Sequence, residues 1–202
     1  MTDQSNDKRV LALDVHPRSF GFVLFEGPNQ MLDWGLRSFR TGVNAVKIPA
    51  ATKFLALLDE FRPSAVLIGE RPARRAAKQI KMLATIKRQA RRRRIPVRFI
   101  SRRDVNRAFV GFHSNKYEVA SALARQFPDL ALRLPPKRKC WETEHYRMGI
   151  FDAAALGVAY FARRRTRLST ALVDDPATLQ TRVYNSAKKN HSAGELEPVS
   201  TF

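Results

Sequence analysis

The chain has 202 residues, of which 37 are Lys or Arg and 18 are Asp or Glu, and its formal net charge is +19. This excess predicts an anionic polymer as the partner, with nucleic acid first and an anionic membrane surface second. No apolar run reaches the roughly 18 residues of a membrane span, and the first residues, MTDQSNDKR, lack the apolar centre of a signal peptide. Cys140 is the single cysteine, which excludes a disulfide framework and a cysteine-rich zinc site. We therefore expect no membrane association and a reducing, cytoplasmic location.

The first part of the chain predicts three strands. Residues 9–15, RVLALDV, and residues 19–26, SFGFVLFE, are apolar runs separated by a tight connection at 16–18. Residues 31–39, MLDWGLRSF, alternate in the manner of a third strand. Three consecutive strands on short turns predict an antiparallel meander.

The pattern then changes to helical spacing and back. Residues 46–61 predict a helix, and residues 64–70, SAVLIGE, predict a strand covered on both faces because the run is short and continuously apolar. Residues 73–94 predict a long helix. Its expected apolar face is formed by Ala76, Ile80, Leu83, Ile86 and Ala90.

The remaining residues complete an α/β order. Residues 96–101 predict a strand, residues 102–110 and 115–127 predict short helices, and residues 146–165 predict a last helix. From residue 166 the composition is polar and aperiodic, as in a disordered tail. The order β-β-β-α-β-α-β-α indicates an α/β domain with a mixed sheet.

Three acids occupy unusual positions in this order. Asp14 ends the first strand, Glu70 ends the fourth strand, and Asp152 lies in the small apolar run of the last helix. If the two strands are neighbours, their ends lie about 5 Å apart, and a helix across the sheet could direct Asp152 at both. Clustered carboxylates repel one another unless a divalent cation such as Mg²⁺ or Mn²⁺ is bound. The alternatives are a turn residue at Asp14, a helix start at Glu70 and an arginine partner for Asp152.

These segments resemble the RNase H-like superfamily and, within it, the RuvC-like Holliday junction resolvases. The similar motifs are LALDVHPRSFGFVLFE, AVLIGE, FVGFHSNKYEVASAL and FDAAALGVAY. The resemblance implies a mixed five-stranded sheet, with a three-strand antiparallel meander plus parallel strands, flanked by helices. It also implies that Asp14, Glu70 and Asp152 are catalytic and hold two Mg²⁺ or Mn²⁺ ions, that Lys116 contacts phosphate, and that the protein is a homodimer. The predicted domains are a disordered N-terminus at 1–7, the nuclease domain at 8–165 and the tail at 166–202.

The sequence departs from the family pattern near the last acid. Resolvases of this type usually carry Asp or His three residues before it, and here that position is Gly149. Glu144 or His145 is the expected fourth metal ligand, the alternative being a solvated loop residue. The turn after Asp14 contains His16 and Pro17, where glycine is common.

A basic segment follows Glu70. Residues 71–103 contain fourteen Lys or Arg and no acid, and this absence favours phosphate binding over a solvated surface helix, which usually mixes charges. The expected nucleic-acid contacts are Arg71, Arg74, Arg75, Lys78, Lys81, Arg88, Arg92 and Lys116.

The sequence therefore predicts a metal-dependent endonuclease that cleaves structured DNA, most like a Holliday junction resolvase, with a cytoplasmic, nucleoid-associated location. Two alternatives remain open. The first is a binding protein with this fold that has lost catalysis, and the second is a strand-transfer component of a mobile element or phage.

Overall fold

The structure, a computed structural model, contains one mixed five-stranded sheet. It describes residues 9–17, 19–38, 50–70, 77–111 and 115–173. The strands are β1 Val10–Val15, β2 Ser19–Phe25, β3 Met31–Ser38, β4 Ala65–Gly69 and β5 Val97–Ile100, in the order β3-β2-β1-β4-β5. The first three are antiparallel neighbours, whereas β4 runs parallel to β1 and β5 runs parallel to β4. The predicted fold class is confirmed, and β1 and β4 end at the same edge of the sheet.

Helices cover both faces of this sheet. Helices α1 Ala50–Phe61 and α2 Ala77–Arg92 share a core with Leu11 and Leu13 of β1. The other face carries α3 Arg102–Ala108, α4 Lys116–Gln126, α5 Pro128–Ala131 and α6 Met148–Val173. Val10 and Ala12 of β1 belong to this second core. Because side chains alternate along a strand, Asp14 lies on the same face as Ala12, which is the face covered by α6.

The apolar face of α2 differs from the prediction. Leu83, Ile86 and Ala90 are buried as expected, but Ile80 is 53% exposed and Gln79 is buried in its place. The Gln79 side-chain amide donates a hydrogen bond to the Val15 carbonyl oxygen, which explains how a polar group is tolerated there. Predicted position Ala76 lies outside the described residues.

Glycines bring α6 into backbone contact with β2. A Cβ at Gly21 would lie 2.1 Å from the Gly149 carbonyl oxygen, so no larger residue fits between strand and helix. One turn beyond Asp152, a Cβ at Gly157 would overlap the Phe25 ring. Asp14 is the β1 residue directly opposite Gly21. This contact therefore holds the first turns of α6 directly above the end of β1.

The last helix is longer than predicted. The sequence pattern predicts an end near residue 165, but α6 continues to Val173. By its internal contacts the chain divides into units Met1–Arg163 and Arg164–Phe202, and residues 174–202 lie outside the described residues. The boundary of the predicted tail and the predicted N-terminal segment 1–7 remain predictions. Within the described ranges, no helix has the length and apolar character that a membrane span requires.

Candidate functional site

Asp14 is a buried carboxylate at the end of β1. It is 4% exposed, and in the described part of the chain Gln79 is the other buried polar residue. His16 lies two residues further along, and its Nε2 is 2.5 Å from Asp14 Oδ2. Burying an ionised carboxylate is costly unless a partner compensates it. A role as a turn residue therefore does not explain why the Asp14 carboxylate is buried.

Asp152 of α6 approaches Asp14 from across the core. Ligand atoms of Asp14, His16 and Asp152 all lie within 4.8 Å of one another, and these three residues form the candidate metal-binding group among the described residues. Burial and then the negative charge of Asp14 raise the pKa of Asp152, although the Lys116 ammonium opposes this effect. The pair of carboxylates thus favours binding a cation or a proton.

Lys116 supplies a positive charge at this site. It begins α4 after the N-cap Asn115, and its Nζ donates to Asp152 Oδ2 at 2.8 Å and to Glu144 Oε1 at 2.6 Å. Burial disfavours the ammonium form, but the attraction of Asp152 and Glu144 outweighs this and raises the pKa of Lys116. Lys116 therefore stays charged at neutral pH. Its predicted role as a phosphate contact remains a prediction.

Glu70 lies at the same edge of the sheet but apart from the cluster. It directly follows β4, it is exposed, and its backbone N–H donates to the Ile100 carbonyl oxygen at 2.7 Å. A cavity of about 300 Å³ is lined by the charged residues Asp14, Glu70, Arg102, Lys116 and Asp152, together with Gly69 and apolar residues of β5, α3, α4 and α6. The three predicted acids thus line one cavity, and two of them, Asp14 and Asp152, offer oxygen atoms within 4.8 Å of one another.

Glu144 and His145, one of which was expected to supply a fourth ligand, remain predictions. Glu144 is exposed and accepts from Lys116. The His145 ring stacks on Tyr146 with 4.5 Å between centroids, and its Nδ1 accepts from the Arg147 backbone N–H at 3.3 Å. Neither residue belongs to the candidate group among the described residues.

His16 is the member of the group that the sequence reasoning missed. The available signal was its spacing, since residues i and i+2 at a strand end project from the same face. The family pattern directs attention to Gly149 for a further ligand, whereas His16 departs from that pattern only as a residue in a turn where glycine is common. A Cβ placed at Gly149 would lie 3.7 Å from Asp14 Oδ2, the oxygen that His16 approaches.

The predicted phosphate contacts are only partly described. Lys81, Arg88 and Arg92 are exposed on α2, which packs on the sheet face opposite α6. Arg71, Arg74 and Arg75 lie outside the described residues, as does the side chain of Lys78. Their contact with nucleic acid stays a prediction.

The donor set fits a divalent cation. Asp14 and Asp152 offer hard oxygen donors, and His16 offers a nitrogen that also binds first-row divalent metals. Adjacent donors to one Mg²⁺ lie about 3 Å apart and opposite donors about 4 Å apart. For one ion to bind all three residues, His16 Nε2 would have to move out of its 2.5 Å contact with Asp14 Oδ2 while Asp152 stayed close to both.

Comparison with known proteins identifies the fold. Neither a protein family model nor a curated protein matches the sequence. The Thermus thermophilus RuvC structure is 19% identical and covers 78% of this chain and 96% of its own, with a TM-score of 0.53. T. thermophilus RuvC in complex with a Holliday junction substrate is also 19% identical and covers 79% of this chain and 96% of its own, with a TM-score of 0.55.

A viral resolvase gives a similar result. The Fowlpox virus resolvase in complex with its substrate Holliday junction DNA is 11% identical, covers 76% of this chain and 99% of its own, and has a TM-score of 0.52. The sheet order, the helices on both faces and these similarities agree. The chain therefore has an RNase H-like, RuvC-like fold.

Proposed function

We propose that this protein is a divalent-metal-dependent endonuclease that cleaves phosphodiester bonds in structured DNA, with four-way junctions as its substrate. The observation that carries the proposal is the convergence of Asp14 and Asp152, with His16, within 4.8 Å at the edge of the sheet. These three potential metal ligands belong to a chain of net charge +19, and that positive charge favours a polyanionic substrate over a small neutral one.

In this mechanism the carboxylates of Asp14 and Asp152 would hold two Mg²⁺ or Mn²⁺ ions, and Glu70 at the cavity wall would be a further oxygen donor. When bound, such ions activate water and stabilise the leaving oxygen of a phosphodiester. Asp14 is fixed by its position opposite Gly21, and Asp152 is fixed by the close packing of α6 on β2. The end of β1 and the helix packed against β2 would therefore hold the two carboxylates in place before the substrate arrives.

Lys116 has two roles in this proposal. It compensates the charge of Asp152 in the absence of metal, through the 2.8 Å contact of its ammonium group. With Asp152 compensated by bound metal, Lys116 Nζ would be available to a phosphate oxygen in the same cavity. The exposed cations of α2 would add contacts to the DNA backbone away from the cavity.

The solved resolvases that share the fold are seen with Holliday junction DNA, which supports branched DNA as the partner here. A homodimer is part of the proposal because symmetric cleavage of a junction requires two active sites. The cytoplasmic, nucleoid-associated location and a role in recombination or repair follow from such a substrate.

Cleavage of synthetic junction, fork and linear duplex DNA in Mg²⁺ or Mn²⁺ tests the proposal. We expect nicks in the junction that depend on the metal, and Asp14→Asn should abolish them while junction binding is retained. Equal nicking by the variant and the unchanged protein would discard Asp14 as a catalytic residue.

Binding without catalysis is the second candidate function, and two observations favour it. Gly149 brings no side chain to Asp14, and Glu70 stands apart from the candidate group, so the acid cluster is smaller than the predicted one. Tight junction binding with no cleavage in either metal would support this candidate.

A further inference from the structure

His16 occupies a defined position beside the acid cluster. Its backbone N–H donates to the Ser19 carbonyl oxygen at 2.9 Å, which closes the turn between β1 and β2. Its side chain is 32% exposed, whereas that of Asp14 is 5% exposed. The imidazole therefore lies between solvent and the buried carboxylate, with Nε2 directed at Asp14 Oδ2.

The contact between His16 and Asp14 has two chemical interpretations. In the first, the histidine only hydrogen-bonds to the carboxylate and holds its orientation. In the second, both atoms are donors to one cation. The second interpretation is favoured by Asp152, because one of its carboxylate oxygens lies within 4.8 Å of a ring nitrogen of His16 and of a carboxylate oxygen of Asp14, and a hydrogen bond between His16 and Asp14 does not require it there.

Gly149 of α6 lies close to Asp14 and contributes no side chain there. The nearest atoms to a Cβ built at Gly149 are Leu36 Cδ2 at 3.6 Å, Asp14 Oδ2 at 3.7 Å and Gly21 Cα at 3.8 Å. These are ordinary van der Waals distances, so the backbone would accept a side chain at this position. A side chain at Gly149 of α6 could thus reach Asp14 Oδ2, but glycine supplies none. The donor beside this oxygen is instead His16, in the turn after β1.

Resting on the proposed metal centre, we propose that His16 is a ligand of that centre through Nε2, together with Asp14 and Asp152. An imidazole nitrogen binds Mg²⁺ weakly and first-row transition ions more strongly. The centre should consequently prefer Mn²⁺ over Mg²⁺ to a greater degree than a site formed by oxygen donors alone.

The direct test is pulsed electron paramagnetic resonance of Mn²⁺ added to the full chain. A nitrogen bonded to Mn²⁺ produces ¹⁴N modulation of the electron spin echo, which a histidine that only hydrogen-bonds to Asp14 does not produce. We expect this modulation in the unchanged protein and its loss in His16→Ala and His16→Gln. Mn²⁺ affinity measured by calorimetry should fall about tenfold in both, and Mg²⁺ affinity should fall less.

Two further variants sharpen the test. His145→Ala removes an imidazole outside the candidate group and should keep both the nitrogen modulation and the affinity for Mn²⁺. Gly149→Asp in the His16→Ala background should restore Mn²⁺ affinity by offering an oxygen near Asp14 Oδ2, but it should not restore the modulation. Circular dichroism of every variant establishes that the fold is kept, and His16→Gln preserves a polar side chain in the turn.

The outcomes separate this inference from the proposed function. If Asp14→Asn loses Mn²⁺ binding while both His16 variants retain the affinity and the modulation, the ligand assignment is overturned and the proposed metal centre stands. If Asp14→Asn binds Mn²⁺ as tightly as the unchanged protein, the proposed centre itself is wrong. Loss of the modulation in His145→Ala instead would move the nitrogen ligand to His145 and also overturn the inference.

Discussion

Lys116 Nζ lies 2.8 Å from Asp152 Oδ2, at the cavity where the proposed cations would bind. The lysine thus provides part of the positive charge that the neighbouring carboxylates of Asp14 and Asp152 require. A bound divalent ion would provide the same compensation, so lysine and metal stabilise Asp152 by the same electrostatic means. Removal of either one should increase the dependence of the fold on the other.

Lys116→Met should lower the stability of the metal-free protein. The Lys116 side chain is 37% exposed, and with solvent screening we expect a loss of about 1 kcal/mol at pH 7. Saturating Mn²⁺ should stabilise the variant more than the unchanged protein, because the metal replaces the missing charge. Urea unfolding with a chelator and with Mn²⁺ measures both effects.

A double-mutant cycle with Asp152→Asn supplies the control for this prediction. If Lys116 acts through Asp152, its substitution should cost less in the Asp152→Asn background than in the unchanged protein. An identical loss in both backgrounds would assign the effect to Glu144 or to packing of the lysine side chain.

Asp152→Asn should stabilise the metal-free protein at neutral pH. Since its pKa is raised, Asp152 holds a proton more tightly in the folded chain than in the unfolded chain. That contribution is fully present below the unfolded pKa, near 3.8, and is lost as pH rises through the higher folded pKa. The advantage of the variant should therefore be largest at pH 7 and should shrink toward pH 4 in urea unfolding with a chelator.

Asp104→Asn is the matched control, because its linkage has the opposite sign. A hydrogen bond from Ser101, followed by smaller contributions that include Arg163, lowers the pKa of Asp104. Its stabilisation is present above the unfolded pKa and is lost as pH falls through the lower folded value. This variant should be less stable than the unchanged protein at pH 7, and the gap should close below about pH 4. A parallel pH dependence for the two variants would contradict the assignment of Asp152.

The sequence was sufficient for the strands and for the position of Asp14. Continuous apolar runs identified β1 and β4 because both strands are buried on their two faces, and alternation together with short turns identified the meander that ends in β3. Parallel pairing of β1 and β4 explains why Asp14 and Glu70 reach one cavity. The buried side of α6 could be inferred from the small residues around Asp152.

Other features depended on tertiary contacts that periodicity does not encode. Ile80 was expected in the core but is exposed, and Gln79 is buried instead. The Gln79 amide is tolerated there because it donates a hydrogen bond to a carbonyl oxygen at the end of β1. His16 could not be recognised as a neighbour of Asp152, because their approach requires α6 to contact β2 at two glycines. Lys116 was expected to meet phosphate, and its pairing with Asp152 and Glu144 depends on how α4 lies beside α6.

Gly21→Ala should damage the site through the backbone. Its Cβ would lie 2.1 Å from the Gly149 carbonyl oxygen, so α6 would have to move away from β2 and carry Asp152 away from Asp14. We expect a destabilisation of about 1–3 kcal/mol, as for overpacked cores, together with weaker Mn²⁺ binding. Thermal unfolding and calorimetry measure the two effects.

Gly149→Ala is the matched control for the strand–helix contact. Its Cβ would meet its nearest neighbours at 3.6 to 3.8 Å and needs no movement of α6. The variant should unfold close to the unchanged protein, because alanine also favours the helix. A loss as large as that of Gly21→Ala would mean that the spacing between α6 and β2 is not the limiting feature.

The last prediction concerns the exposed cations of α2. If Lys81, Arg88 and Arg92 contact phosphates, each substitution by Gln should weaken junction and duplex binding to a similar degree, since phosphate contacts carry no sequence information. Each should also reduce the slope of log affinity against log salt concentration by about 1. Arg9→Gln is the control, because Arg9 pairs with Glu26 at 3.1 Å on the surface. Fluorescence anisotropy from low to moderate salt measures the slopes, and an unchanged slope in all three variants would remove α2 from the DNA-binding surface.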